Sequence, residues 1–346
     1  MTNLVVKKQR NSSVELFRIL ATFLVLIVHL NGWLLGGTPE TFSPNEDLSF
    51  RVGQLVVQSL SVVCVNCFII ISGYFGINLS LRSLLKYFAT LFGMYFPCWI
   101  VSSIALRHTT VSEALDGIFV LSREGYFVQC YFMLMFLSPI LNSFVEKFGK
   151  SILKYVLIFW AIEIWFEQVR GNISLGFNGG YSVIHFVLVY LLARCLALYK
   201  DKVLQIFTCS KSLLIYFVLA GVVSLEYIIM GGQKVWDYSN PIILLESFFL
   251  FIPFLYYPNY FNKRINWIAS STFAVYVLHT CKPLNPILRD LDRYVLSHYS
   301  NLFFIIMLFL AILTFVMCIV YDKIRARITN PMLEKINNKI SSYKIL

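Results

Sequence analysis

The sequence predicts an all-α, polytopic membrane protein, a bundle of about ten transmembrane helices with both termini on the cytoplasmic side. Hydrophobic residues make up 58% of the chain and charged residues only 14%, whereas soluble globular proteins carry about 25% charged residues. The mean hydropathy is +0.72, so too few polar side chains remain to cover a surface that faces water. The apolar runs also lack the period-two alternation of a transmembrane barrel. Helices are therefore the predicted spanning element.

A helix needs about 20 apolar residues to cross the bilayer, and ten segments meet or approach that length. In chain order they are 15–36, 54–78, 84–106, 125–145, 151–168, 181–199, 212–230, 240–260, 265–281 and 301–321. The fifth and ninth segments are the shortest. The chain is thus predicted to be a single membrane domain, 1–346, that ends in a basic cytoplasmic tail, 322–346.

The charges indicate the orientation of these helices. With a cytoplasmic N-terminus, 21 of the 29 Lys and Arg residues fall on the inner side and 8 on the outer side, as the positive-inside rule requires. The net charge of +11 is spread in small groups between the apolar runs and forms no stripe. The charge pattern therefore predicts a multi-pass protein in contact with a lipid bilayer and no nucleic-acid partner.

The first helix carries the first candidate site. Ser12 and Glu15 have the spacing of a capping box, and Glu15 and Arg18 are spaced to pair. Arg18 and His29 are eleven residues apart, which places both on one helix face, roughly 16 Å apart along the axis. Considered separately, Arg18 would be an anchor at the inner headgroups, and His29 would form a hydrogen bond between helices. Because ionisable residues inside a membrane usually line a pathway or cavity, the pair favours a functional site in which His29 moves a proton.

The ninth helix carries a second set of polar side chains. Thr272, Tyr276 and His279 are spaced to share one helix face, and His279 lies as far into its helix as His29 lies into the first. The two imidazoles are therefore predicted at similar depth. His185, near the outer start of the sixth helix, is a third candidate, with a loop carbonyl as its ordinary alternative partner.

Two further features lie in and after the second helix. Ser72-Gly73 gives a small patch where another helix or a ligand can approach closely. Arg82 and Lys86 follow one turn apart at the inner mouth, on the side of Arg18, where three cations would suit a phosphate-bearing cofactor. The alternative is that Arg82 and Lys86 serve only to set the orientation of the helices, as basic residues retained on the cytoplasmic side. No metal is expected, because the Cys64-x-x-Cys67 pair has no second pair and no neighbouring histidine.

Taken together, these stretches resemble the acyltransferase 3 family of integral membrane acyltransferases. The resemblance rests on Glu15-Leu-Phe-Arg18 with its spacing to His29, on Asn66–Phe75 with the basic residues that follow, on Ser271–His279 and on Gly180–Phe186. These motifs span nearly the whole chain. The second basic motif is looser here than in the family, Arg82-x-x-x-Lys86.

The resemblance implies transfer of an acyl group, usually acetyl from cytosolic acetyl-CoA, to a sugar hydroxyl of a cell-surface or lipid-linked polysaccharide. It implies a bacterial cytoplasmic membrane as the location and Arg18 with His29 as the essential pair. The chain lacks the C-terminal esterase-like domain of some members, so no serine relay of that kind is expected.

On this reading the phosphates of acetyl-CoA would be held by Arg18, Arg82 and Lys86. His29 would act as general base on the acceptor hydroxyl, and Tyr276 or His279 would orient the acceptor or stabilise the oxyanion. A covalent acetyl-histidine is the open alternative. The remaining candidates for contact with the substrate are Glu15, Ser72 and His185.

A second class of function fits part of the same pattern. A proton-coupled transporter or glycan flippase would also place His and Arg along a path. Such proteins often show matching Pro- or Gly-broken helices in two halves, and Pro97, Pro139 and Pro241 form no matching pair. The acyltransferase is therefore the favoured prediction.

Overall fold

The computed structural model describes residues 10–33, 48–106, 125–171, 175–258, 260–281, 290–291, 294 and 298–342. Helices account for most of these residues, and no strand occurs among them. The predicted all-α class is therefore confirmed. The α-helices are α1 (Ser12–Val28), α2 (Leu48–Ser61), α3 (Cys64–Phe75), α4 (Leu81–Leu106), α5 (Tyr126–Phe148), α6 (Ile152–Glu163), α7 (Val183–Ile206), α8 (Cys209–Met230), α9 (Pro241–Phe251), α10 (Lys263–Ala269), α11 (Thr272–His279) and α12 (Phe303–Ser342).

Several helices change their winding near their ends. A π-helical turn, His29–Trp33, continues α1, and a second one, Ile164–Val169, continues α6. A 3-10 segment, Ile252–Tyr256, follows α9. Short π segments occur often at functional sites, and the first of these begins at the histidine that the sequence singles out.

Three predicted segments differ from the structure. The second one is interrupted between α2 and α3 at Val62 and Val63, and the ninth is interrupted between α10 and α11 at Ser270 and Ser271. The last helix does not end at 321 as predicted but continues to Ser342. The tail is therefore in large part a helical extension of the membrane segment.

Seven of the described helices are long and apolar enough to cross a membrane. The predicted number of about ten is not confirmed. One of the seven candidates, Tyr126–Val169, contains both α5 and α6, with a left-handed Gly149 (φ 53°) between them. Tyr126 packs on Tyr181 at the start of α7, and Glu163 at the far end of the candidate contacts His185 in the first turn of the same helix. Both ends of the stretch thus lie beside one end of α7, which makes it a hairpin.

Helix α1 lies at the centre of the bundle, where it packs against α2, α3, α10, α11 and α12. Its start differs from the predicted capping box, because Asn11 is the cap and accepts a hydrogen bond from the Ser13 amide at 2.9 Å. The hydroxyl of Ser12 instead donates to the side chain of Asn266 on α10 at 2.9 Å. The inner end of α1 is therefore fixed to α10.

The Ser72-Gly73 patch is a point of helix–helix contact. A Cβ added to Gly73 would lie 2.5 Å from the Tyr190 carbonyl oxygen and 2.8 Å from Cβ of Ala193, both on α7. The ligand alternative is thus not needed to explain this glycine, since α7 fills the space.

We expect Gly73→Ala to lower the stability of the protein, because backbone atoms of α7 must move to admit the methyl group. Overpacking of this kind costs about 1–3 kcal/mol. Gly221→Ala in α8 is the matched control, because a Cβ there meets no atom within 4 Å. Thermal unfolding in detergent should show a lower midpoint for the first variant and an unchanged or higher one for the second. Equal midpoints would contradict the close contact.

Candidate active site

Two histidines from different helices meet inside the bundle. Nδ1 of His29 lies 2.8 Å from Nε2 of His279, and the ring centroids are 4.9 Å apart. His29 begins the π-helical turn after α1, and His279 ends α11. The two imidazoles, which were predicted at similar depth from their helix positions, are therefore in direct contact.

The hydrogen bonds of His279 fix the tautomers of both rings. Nδ1 of His279 lies 2.7 Å from the carbonyl oxygen of Val275, to which only an N–H can donate. In a neutral ring, Nε2 of His279 is then an acceptor, so Nδ1–H of His29 donates to it. The lone pair of His29 therefore resides on Nε2, which makes that atom the proton acceptor of the pair.

Tyr276 lies beside this pair. Its ring is 6.0 Å from the His279 ring and 4.9 Å from the ring of Phe127 on α5, and the side chain is buried. Thr272, predicted on the same face, donates its hydroxyl to the Ala269 carbonyl at 2.9 Å. Thr272 thus pairs a backbone carbonyl at the break between α10 and α11, whereas Tyr276 lies beside the histidine pair.

Glu15 and Arg18 form the predicted pair on α1. Oε2 of Glu15 lies 3.4 Å from Nε of Arg18. That Nε is buried and donates no hydrogen bond to the part of the chain that the structure describes, while the Arg18 side chain as a whole is partly exposed. The arginine is therefore held by charge and retains hydrogen-bonding capacity at the inner part of α1.

A larger basic cluster lies at the inner end of α4. Among the described residues, the charges that act on the Lys86 ammonium are those of Arg10, Arg82, Asp322 and Arg325. Arg18, which the sequence grouped with Arg82 and Lys86, is not one of them. The cluster therefore combines the N-terminal segment, the first two turns of α4 and the inner half of α12.

The α12 residues of this cluster are firmly placed. Nη2 of Arg325 lies 2.6 Å from Oδ1 of Asp322, and its stem fills the space beside Gly93, where a Cβ would be 2.7 Å from Cδ of the arginine. The Lys323 ammonium donates to the Trp267 carbonyl at 2.6 Å, and the charge of Lys86 acts on it. Sequence reasoning missed Arg10, Lys323 and Arg325 because it read them only as topology charges.

His185 is fully buried in a polar network that the sequence did not predict. Its Nδ1 lies 2.7 Å from Oε1 of Glu163, and its Nε2 lies 3.1 Å from Oδ1 of Asn66. The amide nitrogen of Asn66 donates to the Tyr238 carbonyl at 3.0 Å, which fixes the orientation of that amide. Both ring nitrogens therefore face oxygen atoms. This arrangement joins α3, α6 and α7 and has the character of a structural link.

Ser72 is also engaged within the protein. Its hydroxyl donates to the Phe68 carbonyl at 2.9 Å and lies 3.1 Å from the hydroxyl of Tyr131, which in consequence donates to it. The structure thus brings together His29, His279 and Tyr276, places the basic cluster at the inner end, and uses Ser72 and His185 in contacts between helices.

A family model described as an acyltransferase domain, Acyl_transf_3, matches residues 11–323. No curated protein and no solved structure matches the chain at a significant level. The matched region includes both histidines of the pair, Arg18 and the first turn of α4.

Proposed function

The chain belongs to the acyltransferase 3 family, and from that premise we propose that it is an O-acetyltransferase. It would move an acetyl group from cytosolic acetyl-CoA to a sugar hydroxyl of a cell-surface or lipid-linked polysaccharide. The observation that supports this reaction best is the contact of His29 with His279, because it fixes a proton-accepting nitrogen inside the bundle. A bacterial cytoplasmic membrane, with both termini inside, is part of the proposal.

The proposed chemistry uses His29 as general base and then general acid. Its Nε2 takes the proton of the sugar hydroxyl as the oxygen attacks the thioester carbonyl. The tetrahedral intermediate collapses, the C–S bond breaks, and the same proton passes from Nε2 to the departing thiolate. His279 stabilises the transient imidazolium, because its Nε2 accepts from the Nδ1–H of His29 throughout. Tyr276, whose ring lies 6.0 Å from that of His279, would orient the acceptor or donate to the oxyanion.

The donor is proposed to enter at the basic cluster defined by Arg10, Arg82, Lys86, Lys323 and Arg325. Clustered cations hold phosphate groups by charge-assisted hydrogen bonds, and these five lie at one end of the bundle. Arg18 lies on α1 between this end and His29, roughly 16 Å from the histidine along the helix axis. An extended pantetheine arm is suited to span such a distance.

We expect the double variant Arg82→Gln, Lys86→Gln to raise the KM for acetyl-CoA about tenfold or more with little change in kcat. The loss of two charge-assisted contacts at an exposed site accounts for a rise in KM of about this factor. The matched control is Lys202→Gln, an exposed lysine on α7 that is not among the charges acting on Lys86. The advantage of acetyl-CoA over its 3′-dephospho form should also shrink in the double variant. If the KM and the preference for acetyl-CoA over its 3′-dephospho form were both unchanged, the cluster would not bind the donor.

The reaction itself is tested with acetyl-labelled acetyl-CoA and membranes that contain the protein and a glycan pool. An O-acetyltransferase gives label on glycan that mild alkali releases, and heat-inactivated protein gives none. Alkali-stable label would indicate transfer to an amine. No label on any glycan, with intact donor present, would contradict the proposal and favour the transporter.

A further inference from the structure

Three tyrosines meet at the end of the bundle opposite the basic cluster. The ring of Tyr181, which precedes α7, lies 4.7 Å from that of Tyr126 at the start of α5 and 4.9 Å from that of Tyr238 before α9. Tyr181 is 39% exposed. The group, called here the tyrosine cluster, thus presents one accessible aromatic ring that packs on two others.

Two carboxylates accompany the tyrosine cluster. The charge of Asp237 acts on Tyr181, and the charge of Glu167 acts on Asp237. Oε1 of Glu167 accepts a hydrogen bond from the Gly179 amide at 2.6 Å, whereas its Oε2 is buried and has no hydrogen-bond partner among the described residues. A carboxylate oxygen left in this state costs free energy unless a donor reaches it. The atom is therefore suited to a donor that a ligand would supply.

The backbone beside the carboxylates is built for this arrangement. Asn178, Gly179 and Gly180 all adopt left-handed conformations, with φ of 51°, 62° and 87°. A Cβ at Gly179 would lie 2.7 Å from Oδ1 of Asp237. Only a residue without a side chain therefore lets Asp237 approach the turn so closely.

The tyrosine cluster connects to the histidine pair. Tyr126 interacts with Tyr276, and Phe127, the next residue, packs on the Tyr276 ring at 4.9 Å. Tyr276 in turn borders His279. Tyr126 and Phe127 are consecutive residues of α5, so neighbouring positions of one helix contact the exposed ring of Tyr181 on one side and the Tyr276 ring beside the proposed catalytic histidines on the other.

We propose that the tyrosine cluster, with Glu167 and Asp237, is the subsite that receives the acceptor sugar. Sites for small ligands combine aromatic walls with a few placed polar groups, and here a sugar ring would lay its C–H face on Tyr181. Its hydroxyls would donate to the carboxylate oxygens. The two acidic side chains outnumber the one cation that acts on Asp237 among the described residues, Lys234, so the subsite selects an uncharged, hydroxyl-rich ring over an anionic one. This inference rests on the proposed function for the identity of the ligand.

An interfacial anchor is the competing role for an exposed tyrosine, and the variants separate the two. We expect Tyr181→Ala to raise the acceptor KM about tenfold with little change in kcat or in the KM for acetyl-CoA, because stacking contributes on that scale. Tyr299→Ala is the matched control, since Tyr299 is 49% exposed and lies before α12. An anchor role predicts equal effects of the two substitutions on stability and none on acceptor KM, which would overturn the proposal.

Direct binding keeps the inference testable if transfer itself fails. Maltohexaose, a neutral oligosaccharide, should raise the thermal midpoint of the purified wild-type protein more than oligogalacturonate does, and Tyr181→Ala should abolish that difference. Glu167→Gln, which retains the acceptor for the Gly179 amide, should reduce the difference between the thermal shifts with the two probes. Absence of any preference for the neutral probe, or a preference that Tyr181→Ala leaves intact, would contradict the subsite. Failure of acetyl transfer with a retained preference would overturn the enzyme and not the sugar site.

Discussion

His29→Asn is expected to abolish acetyl transfer while the protein still folds and binds CoA. The asparagine amide can place an N–H close to the position of Nδ1, so the hydrogen bond to His279 is retained. It offers no group that takes a proton at the position of Nε2. General base catalysis contributes about 10²–10⁴-fold, so kcat should fall by at least that factor. Initial rates with labelled acetyl-CoA, together with the CoA-induced shift in melting temperature, measure both quantities.

The role of His279 follows from the same tautomer argument. His279→Gln offers an acceptor close to the position of Nε2, and we expect it to retain more activity than His279→Ala, which offers none. If His29→Asn kept wild-type rates, the proton-transfer role of the pair would be wrong. Equal losses in both His279 variants would show that the acceptor at that position does not matter.

Glu163→Ala is expected to cause the largest loss of stability of any single substitution considered for this protein. The side chains of Glu163 and His185 are both fully buried, and their contact is 2.7 Å. Removal of one partner of a buried pair leaves the other buried and unpaired and costs about 3–5 kcal/mol. The free energy of unfolding, or the thermal midpoint in detergent, should therefore fall sharply.

Two comparisons identify the cause of that loss. Glu163→Gln keeps an oxygen acceptor for Nδ1 of His185 and should cost less than Glu163→Ala. Glu146→Ala is the surface control, since Glu146 is exposed on α5, and it should change the unfolding free energy by less than about 0.5 kcal/mol. A thermal midpoint for Glu163→Ala equal to that of the control would contradict the buried link.

Much of the fold could be predicted from the sequence because apolar length alone defines a spanning helix. The breaks could not be predicted in this way. The residues at Val62 and Val63 are as apolar as their neighbours, so hydropathy gives no signal there, and the interruption depends on packing. Tyr216 of α8 donates to the Leu60 carbonyl at 2.6 Å, which satisfies one backbone group near the break.

The candidate site was predicted in part. Helix periodicity placed His29 and His279 at one depth, but their contact depends on how α1 and α11 are rotated against each other, which spacing does not define. Glu163 was missed because an acidic residue in an apolar segment shows no partner until the helices pack. Arg10 and Arg325 lie just outside the region matched by the family model, 11–323, so no motif pointed to them.

The most direct test of the account is the sidedness of transfer in sealed membrane vesicles. Inverted vesicles expose the cytoplasmic face, and membrane-impermeant labelled acetyl-CoA added outside them should give alkali-labile label on glycan in the lumen. That label should be protected from an added esterase until detergent opens the vesicles, and right-side-out vesicles should give none. Equal labelling from both orientations, or label only on glycan at the donor side, would contradict transfer from a cytosolic donor to an outer acceptor.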